Sequence, residues 1–199
     1  MKEANYSVEY MRSLRMTLEH NQLLGNVPDV MEGIRKYGII LNVNTGYLAE
    51  VPDNIKYYGE QLRPFAMPVK TWIGQGVRVT FEAAGMDFWT PIYTLVTRKA
   101  YREGKEPAVL LPEEGIDRVT ALKMATTWAS EYLLAEDTLD TLETGKYADF
   151  AVLDRDFFTI PVEEIRNVRS LMTSLNGSIV YDNRSGKEQL PAPRPPALE

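Results

Sequence analysis

The chain contains one histidine and no cysteine among its 199 residues. Any metal or acid–base chemistry must therefore be built from a single imidazole and from carboxylates. His20 stands in Leu18-Glu19-His20-Asn21-Gln22, at the C-terminal end of a segment, Leu14 to Gln22, with the alternation of a β-strand. Two carboxylates, Glu82 and Asp87, flank the end of a second strand pattern, Val77 to Ala84. Glu82 shares a strand face with Ala84. It either projects toward a site or faces solvent and pairs with an arginine. Asp87 either joins that site or caps the helix that follows. A lone histidine is more often a satisfied core or surface residue than a ligand, and a zinc site needs at least three protein ligands. No Gly-rich phosphate loop, no G-x-S-x-G and no basic patch is present. Trp72, Phe81, Phe88 and Trp89 read most simply as core.

The elements that must position these residues alternate. After the Leu14–Gln22 strand, Val27, Val30, Met31 and Ile34 recur at helical spacing, which predicts a helix over Pro28 to Lys36. Pro28 suits its first turn, and Tyr37-Gly38 ends it. Ile39 to Asn44 is a nearly continuous apolar run, as buried parallel strands are. Residues 45–68 are broken by Gly46, Pro52, Gly59, Pro64 and Pro68, and their aromatics supply packing. Val69 to Gln75 reads as a short helix, Val77 to Ala84 as a strand and Pro91 to Tyr101 as a helix. Three strand–helix units in succession predict a parallel sheet and an α/β class. A helix over Arg118 to Leu134 follows, capped by Asp117 or a neighbour. Phe150 to Leu153 has strand length, and Pro161 to Ile165 is one helical turn. Asn176-Gly177 between two apolar strands predicts a type I′ hairpin, which needs φ > 0 twice.

Composition excludes several classes. Hydrophobic content of 44% and charge of 25% suit a globular protein. A net charge of −6 argues against nucleic-acid binding. The lack of cysteine removes disulfides and thiol nucleophiles and fits a reducing compartment, so a cytoplasmic location is expected. No apolar run approaches the ~20 residues of a membrane span, and no signal peptide is visible from Lys2 onward. Four prolines between Leu190 and Glu199 predict an extended or disordered tail.

One stretch carries a more specific signal. Leu142-Glu143-x-Gly145-Lys146-x-Ala148-Asp149 precedes an apolar run and Asp154-x-Asp156, and the hairpin then ends Val180-Tyr181-Asp182. This resembles the C-terminal end of the metal-dependent amidohydrolases, in the branch acting on C–N bonds other than peptide bonds. The resemblance covers Leu14 to Asp182. It implies a partial (β/α)8 barrel, the last three strand–helix units, plus a small C-terminal β-sandwich portion. The division expected is a barrel segment over 1–135, a β-sandwich segment over 136–184 and a Pro-rich tail over 185–199. A complete barrel takes about 250 residues, so the resemblance implies the C-terminal part of a longer enzyme.

In that family the setting of Leu18-Glu19-His20-Asn21-Gln22 ends the sixth strand and its histidine is a zinc ligand. Barrel enzymes place their chemistry at such strand ends. The eighth strand delivers an aspartate that acts as a base on metal-bound water. Here Ala84 falls at that position, leaving Glu82 or Asp87 as candidate catalytic carboxylates and His20 as the candidate metal ligand. Zinc or another divalent metal is implied for the full-length parent, with a small amide-like substrate, and none for this chain, which lacks the family's His-x-His pair. Arg98 reads as structural, and Asp149, Asp154 and Asp156 as bonding backbone amides at bends. The competing reading is a non-catalytic α/β interaction domain that keeps the architecture. Three barrel strands without neighbours leave open edges, so a homodimer through Met16–His20, Ile39–Asn44 and Val77–Ala84 is expected, with no nucleic-acid or membrane partner.

Overall fold

The computed structural model describes residues 6–21, 23–83, 87–101 and 107–184. Ser7 caps the first helix, α1 (Val8–Ser13), by accepting from the Tyr10 amide. β1 follows as Thr17–Leu18 only. The longer strand expected from Leu14 is interrupted by left-handed backbone at Arg15 (φ 48°) before it, and at His20 (φ 67°) and Asn21 (φ 40°) after it. α2 (Pro28–Tyr37) starts on its proline and ends at Gly38 in the αL conformation, as the sequence predicts. It buries Met31 and Ile34. β2 (Ile40–Asn44) is buried at every position.

The broken region after β2 folds into short pieces. A 3₁₀ turn at Thr45–Glu50 leads into α3 (Val51–Tyr58), then a second 3₁₀ turn at Glu60–Phe65. α4 (Val69–Gly74) buries Trp72, whose indole N–H donates to the Gly25 carbonyl at 2.7 Å. β3 is Val79–Glu82, shorter than the Val77–Ala84 pattern; Ala84 lies outside the described residues. β1 and β3 both pair parallel to β2, with Leu18 opposite Leu41 and Glu82 opposite Asn44. The mixed α/β class and the parallel sheet therefore follow the sequence pattern.

Two helices end earlier than their periodicity suggests. α5 (Trp89–Thr97) stops because Arg98 turns to αL (φ 60°), and β4 (Lys99–Ala100) then pairs antiparallel with β5 (Ala108–Val109). The expected extension to Tyr101 is strand because Thr94 Oγ1 and the Leu110 amide take the carbonyls of Lys99 and Arg98. The helix over Arg118–Leu134 is two: α6 (Arg118–Ala125), capped by Asp117, and α7 (Thr127–Tyr132). Thr126, at φ −127° and ψ −93°, breaks them, and its hydroxyl donates back to the Leu122 carbonyl.

The C-terminal sheet is antiparallel, in the order β6 (Phe150–Leu153), β7 (Ser170–Leu175) and β8 (Ser178–Asp182). Asn176 (φ 47°) and Gly177 (φ 73°) form the predicted left-handed turn between β7 and β8. Between β6 and β7, Phe157, Ile165 and Val168 join the same core as Trp89, Ile92 and Leu95. Arg118 reinforces the contact by donating to the Phe157 and Ile160 carbonyls, each at 2.6 Å. The helical turn expected at Pro161–Ile165 is a 3₁₀ helix over Val162–Asn167.

Candidate functional site

The polar groups of the parallel sheet gather at the C-terminal ends of its strands. β2 carries two asparagines in an otherwise apolar strand, and both are buried. Buried amides need partners. Asn42 donates through Nδ2 to Glu19 Oε2 at 2.7 Å, and its Oδ1 accepts from Thr80 Oγ1 at 3.2 Å. Asn44 Oδ1 accepts from the Gly46 amide and turns the chain out of the strand. Glu19 is held by further donors: the Tyr132 hydroxyl at 2.6 Å and Thr17 Oγ1 at 3.4 Å, both to Oε1. Burial works against this carboxylate's charge, but Tyr132, Asn42 and Thr17, with the nearby His20, outweigh it and hold Glu19 below the usual carboxylate range. The same hydrogen bond, with burial, raises the Tyr132 phenol, which stays the donor.

This network fixes the bend that presents His20. Asn21 Nδ2 donates to the carbonyls of Leu18 and Asn42, pinning two consecutive left-handed residues against the strand. Asparagine tolerates that backbone readily, histidine less so. The imidazole meets the Tyr47 ring edge-on at 5.3 Å, and its Nε2 lies 3.0 Å from Glu82 Oε1. That oxygen is shut off from solvent, and no donor among the described residues points along its hydrogen-bond direction. The site thus pairs one half-exposed imidazole with one carboxylate oxygen that has capacity to spare.

Of the two candidate carboxylates, only Glu82 reaches His20. Asp87 holds the start of α5: Oδ1 accepts from the amides of Trp89 and Thr90, both at 3.0 Å, and Oδ2 from Thr90 Oγ1 at 2.6 Å. Burial opposes its charge, and these donors with Arg166 keep it low nonetheless. The tyrosine and the two β2 asparagines were not singled out by sequence reasoning. Asn42 and Asn44 left a signal, since two amides inside a buried strand must be satisfied by something. Tyr132 left none, because its partner lies 113 residues away.

Arg98 is structural, as expected. It is fully buried and donates to three carbonyls, Leu110 at 3.0 Å, Met67 at 3.0 Å and Ala66 at 2.8 Å. Burial lowers its pKa to about 10, opposed by Glu114 and Glu113, so it is charged at neutral pH. The aspartates of the C-terminal motif bond backbone amides: Asp149 to Asn176, Asp154 to Arg169, Asp156 to Phe158. Lys146 pairs with Asp140 and donates to the Glu136 carbonyl.

His20 and Glu82 offer two donors where a catalytic zinc takes three protein ligands. Among the described residues no three His, Cys, Asp or Glu side chains converge on one point. The donor types fit a divalent metal, and the number does not complete its shell. No helix among these residues is long and apolar enough to cross a membrane.

A family model described as "Amidohydrolase family" matches residues 3–181. An N-substituted formamide deformylase of Arthrobacter pascens is 30% identical over 124 residues, covering 62% of this chain and 22% of the relative. A metal-dependent hydrolase of Pyrococcus horikoshii OT3 superposes over 78% of this chain and 32% of its own, at 18% identity and a TM-score of 0.62. An adenosine deaminase of Xanthomonas campestris with bound zinc does so over 86% and 39%, at 14% identity and a TM-score of 0.55. This chain spans about a fifth of the length of the curated relative it matches, and about a third of the Pyrococcus structure.

Proposed function

Because this chain belongs to the amidohydrolase family, whose members are generally metal-dependent hydrolases, we propose that it is the C-terminal part of an enzyme that hydrolyses a non-peptide C–N bond. The observation that carries the reading is the approach of His20 to Glu82 at the C-terminal ends of β1 and β3, where barrel enzymes keep their chemistry. The parallel sheet then stands for the last three strands of a (β/α)8 barrel. Residues 1–135 are its barrel segment, 136–184 the start of a β-sandwich and 185–199 a tail. Hydrolysis adds water across the C–N bond and releases a carboxylic acid and an amine. In that reaction Glu82, the carboxylate beside His20, is the group assigned to take a proton from water. Asp87 holds the start of α5 through its cap. His20 presents Nε2 as a ligand for zinc or another divalent ion. With only two donors in place among the described residues, this chain alone is inactive in this reading, and as an isolated polypeptide it serves as a non-catalytic α/β domain.

The first substrate to test is an N-substituted formamide, the class named for the Arthrobacter relative. The purified chain, dialysed against zinc and then metal-free buffer, is expected to retain well under one equivalent of metal and to release no amine above background. Retention of about one equivalent, or amine release lost in His20→Ala, would overturn the inactivity. In the longer protein, His20→Ala and Glu82→Gln are each expected to remove turnover. Full activity in either variant would sink the assignment of the site.

A further inference from the structure

Asp87 also borders a cleft of about 580 Å³ that the His20–Glu82 site does not use. The volume is that of a small-molecule site. Its walls carry Lys99, Arg166 and Arg169 together with Tyr93 and Tyr101. Its carboxylates are Asp87 and Glu163, so three cations against two leave the lining positive by one charge, in a chain of net charge −6. Both oxygens of Asp87 are already taken by the start of α5.

The cations are held in place by contacts other than ion pairs among the described residues. Arg166 donates through Nε to Thr90 Oγ1 at 3.3 Å, and its guanidinium lies 4.1 Å over the Tyr101 ring. Arg169 donates through Nη1 to the carbonyls of Arg166 and Val168. Lys99 Nζ sits 5.8 Å from the Tyr101 ring centre. None of the three is in an ion pair with a carboxylate among the described residues. Arg15, Arg63, Arg78, Lys146, Arg155 and Arg184 are each in such a pair, whereas these three, among the described residues, are not. Tyr93 and Tyr101 stand with ring centres 5.8 Å apart. Burial opposes ionisation of Tyr101, yet Tyr93, Lys99 and Arg166 hold its phenol below the usual range, while burial and Tyr101 raise that of Tyr93.

We propose that this cleft is a binding site for a small molecule carrying an oxyanion group, a carboxylate or a phosphate, taken between Arg166, Arg169 and Lys99. Guanidinium groups match the planar geometry of such groups through paired N–H donors. Arginines already oriented by Tyr101, Thr90 and backbone carbonyls lose little freedom on binding. The proposal rests on the lining of the cleft and not on the proposed hydrolysis.

The test is calorimetric titration of the full chain with inorganic phosphate and, separately, with benzoate, at matched ionic strength. One-site saturable binding of at least one probe is expected, and the probe preferred distinguishes a phosphorylated ligand from a carboxylate. Lys99→Gln and Arg169→Gln, checked for an unchanged melting midpoint, should each weaken binding at least tenfold. No saturable binding of either probe, or less than a tenfold loss in either variant, overturns the proposal.

Discussion

Nε2 of His20 lies 3.0 Å from Oε1 of Glu82, although the strands that carry them do not touch. β2 separates β1 from β3, two inter-strand spacings of about 4.8 Å each. The contact exists because His20 leaves β1 through a left-handed bend and leans back over the sheet. The imidazole is 53% exposed, so water screens its side of the pair, which adds under about 1 kcal/mol to stability. His20→Ala is therefore expected to leave the melting midpoint within a degree or two. A drop of more than about 5 °C would show that the bend depends on the ring.

Glu19 serves stability more than its neighbour does. Tyr132→Phe removes the donor to Oε1 and is expected to cost about 1 kcal/mol. The sign of the pH dependence follows from the lowered carboxyl of Glu19. A depressed acid contributes stability that is present above its ordinary pKa of about 4.3 and lost as pH falls through the folded value. Denaturant unfolding at pH 7 and at pH 3 should therefore show a smaller difference in the variant than in the parent chain. An equal difference would mean that Tyr132 does not support the charge.

Arg98 has no conservative replacement. Its guanidinium satisfies three carbonyls from two segments of chain, Ala66-Met67 and Leu110, and Lys has neither the fork nor the reach. Arg98→Met leaves those carbonyls unpaired in the core and is expected to destabilise by about 3–5 kcal/mol. Arg98→Lys should recover only part of that. Urea midpoints settle it, and a loss below about 1 kcal/mol for Met would contradict the hydrogen bonds described.

Gly177 tests backbone strain without steric conflict. A Cβ there would meet nothing within 4 Å, but φ is +73°. Gly177→Val is expected to cost about 1–2 kcal/mol from strain alone. Gly177→Asn should cost less, since asparagine tolerates the left-handed region. Equal melting midpoints for the glycine and valine forms would rule out the turn.

The outer edges of β1 and β3 are unpaired among the described residues. Unpaired edges invite another chain, and symmetric dimers are the commonest solution. We expect a homodimer, or larger, formed through this sheet. Sedimentation equilibrium at micromolar concentration checks it, and a well-folded monomer near 22.6 kDa would exclude it.

What the sequence determined by itself is local or periodic. Helical spacing placed α2, and apolar runs of strand length placed β2 and β6, because each depends only on the apolar residues within one element. Asn176-Gly177 specified its turn, because few residues adopt φ > 0 twice in succession. The Leu-Glu-x-Gly-Lys-x-Ala-Asp stretch carried the family through bends whose glycine and aspartates are needed locally. The tertiary structure alone decided the rest. Helix ends at Thr97 and Ala125 were set by hydrogen bonds that competed with periodicity, through Arg98 and Thr126. The choice between Glu82 and Asp87 was equally invisible, since both are carboxylates near one strand end. It turned on the left-handed bend that brought His20 to Glu82 across β2, and on Thr90, whose amide and hydroxyl drew Asp87 into a cap. Tyr132 reaches Glu19 from 113 residues away, and no pattern within either segment encodes that meeting.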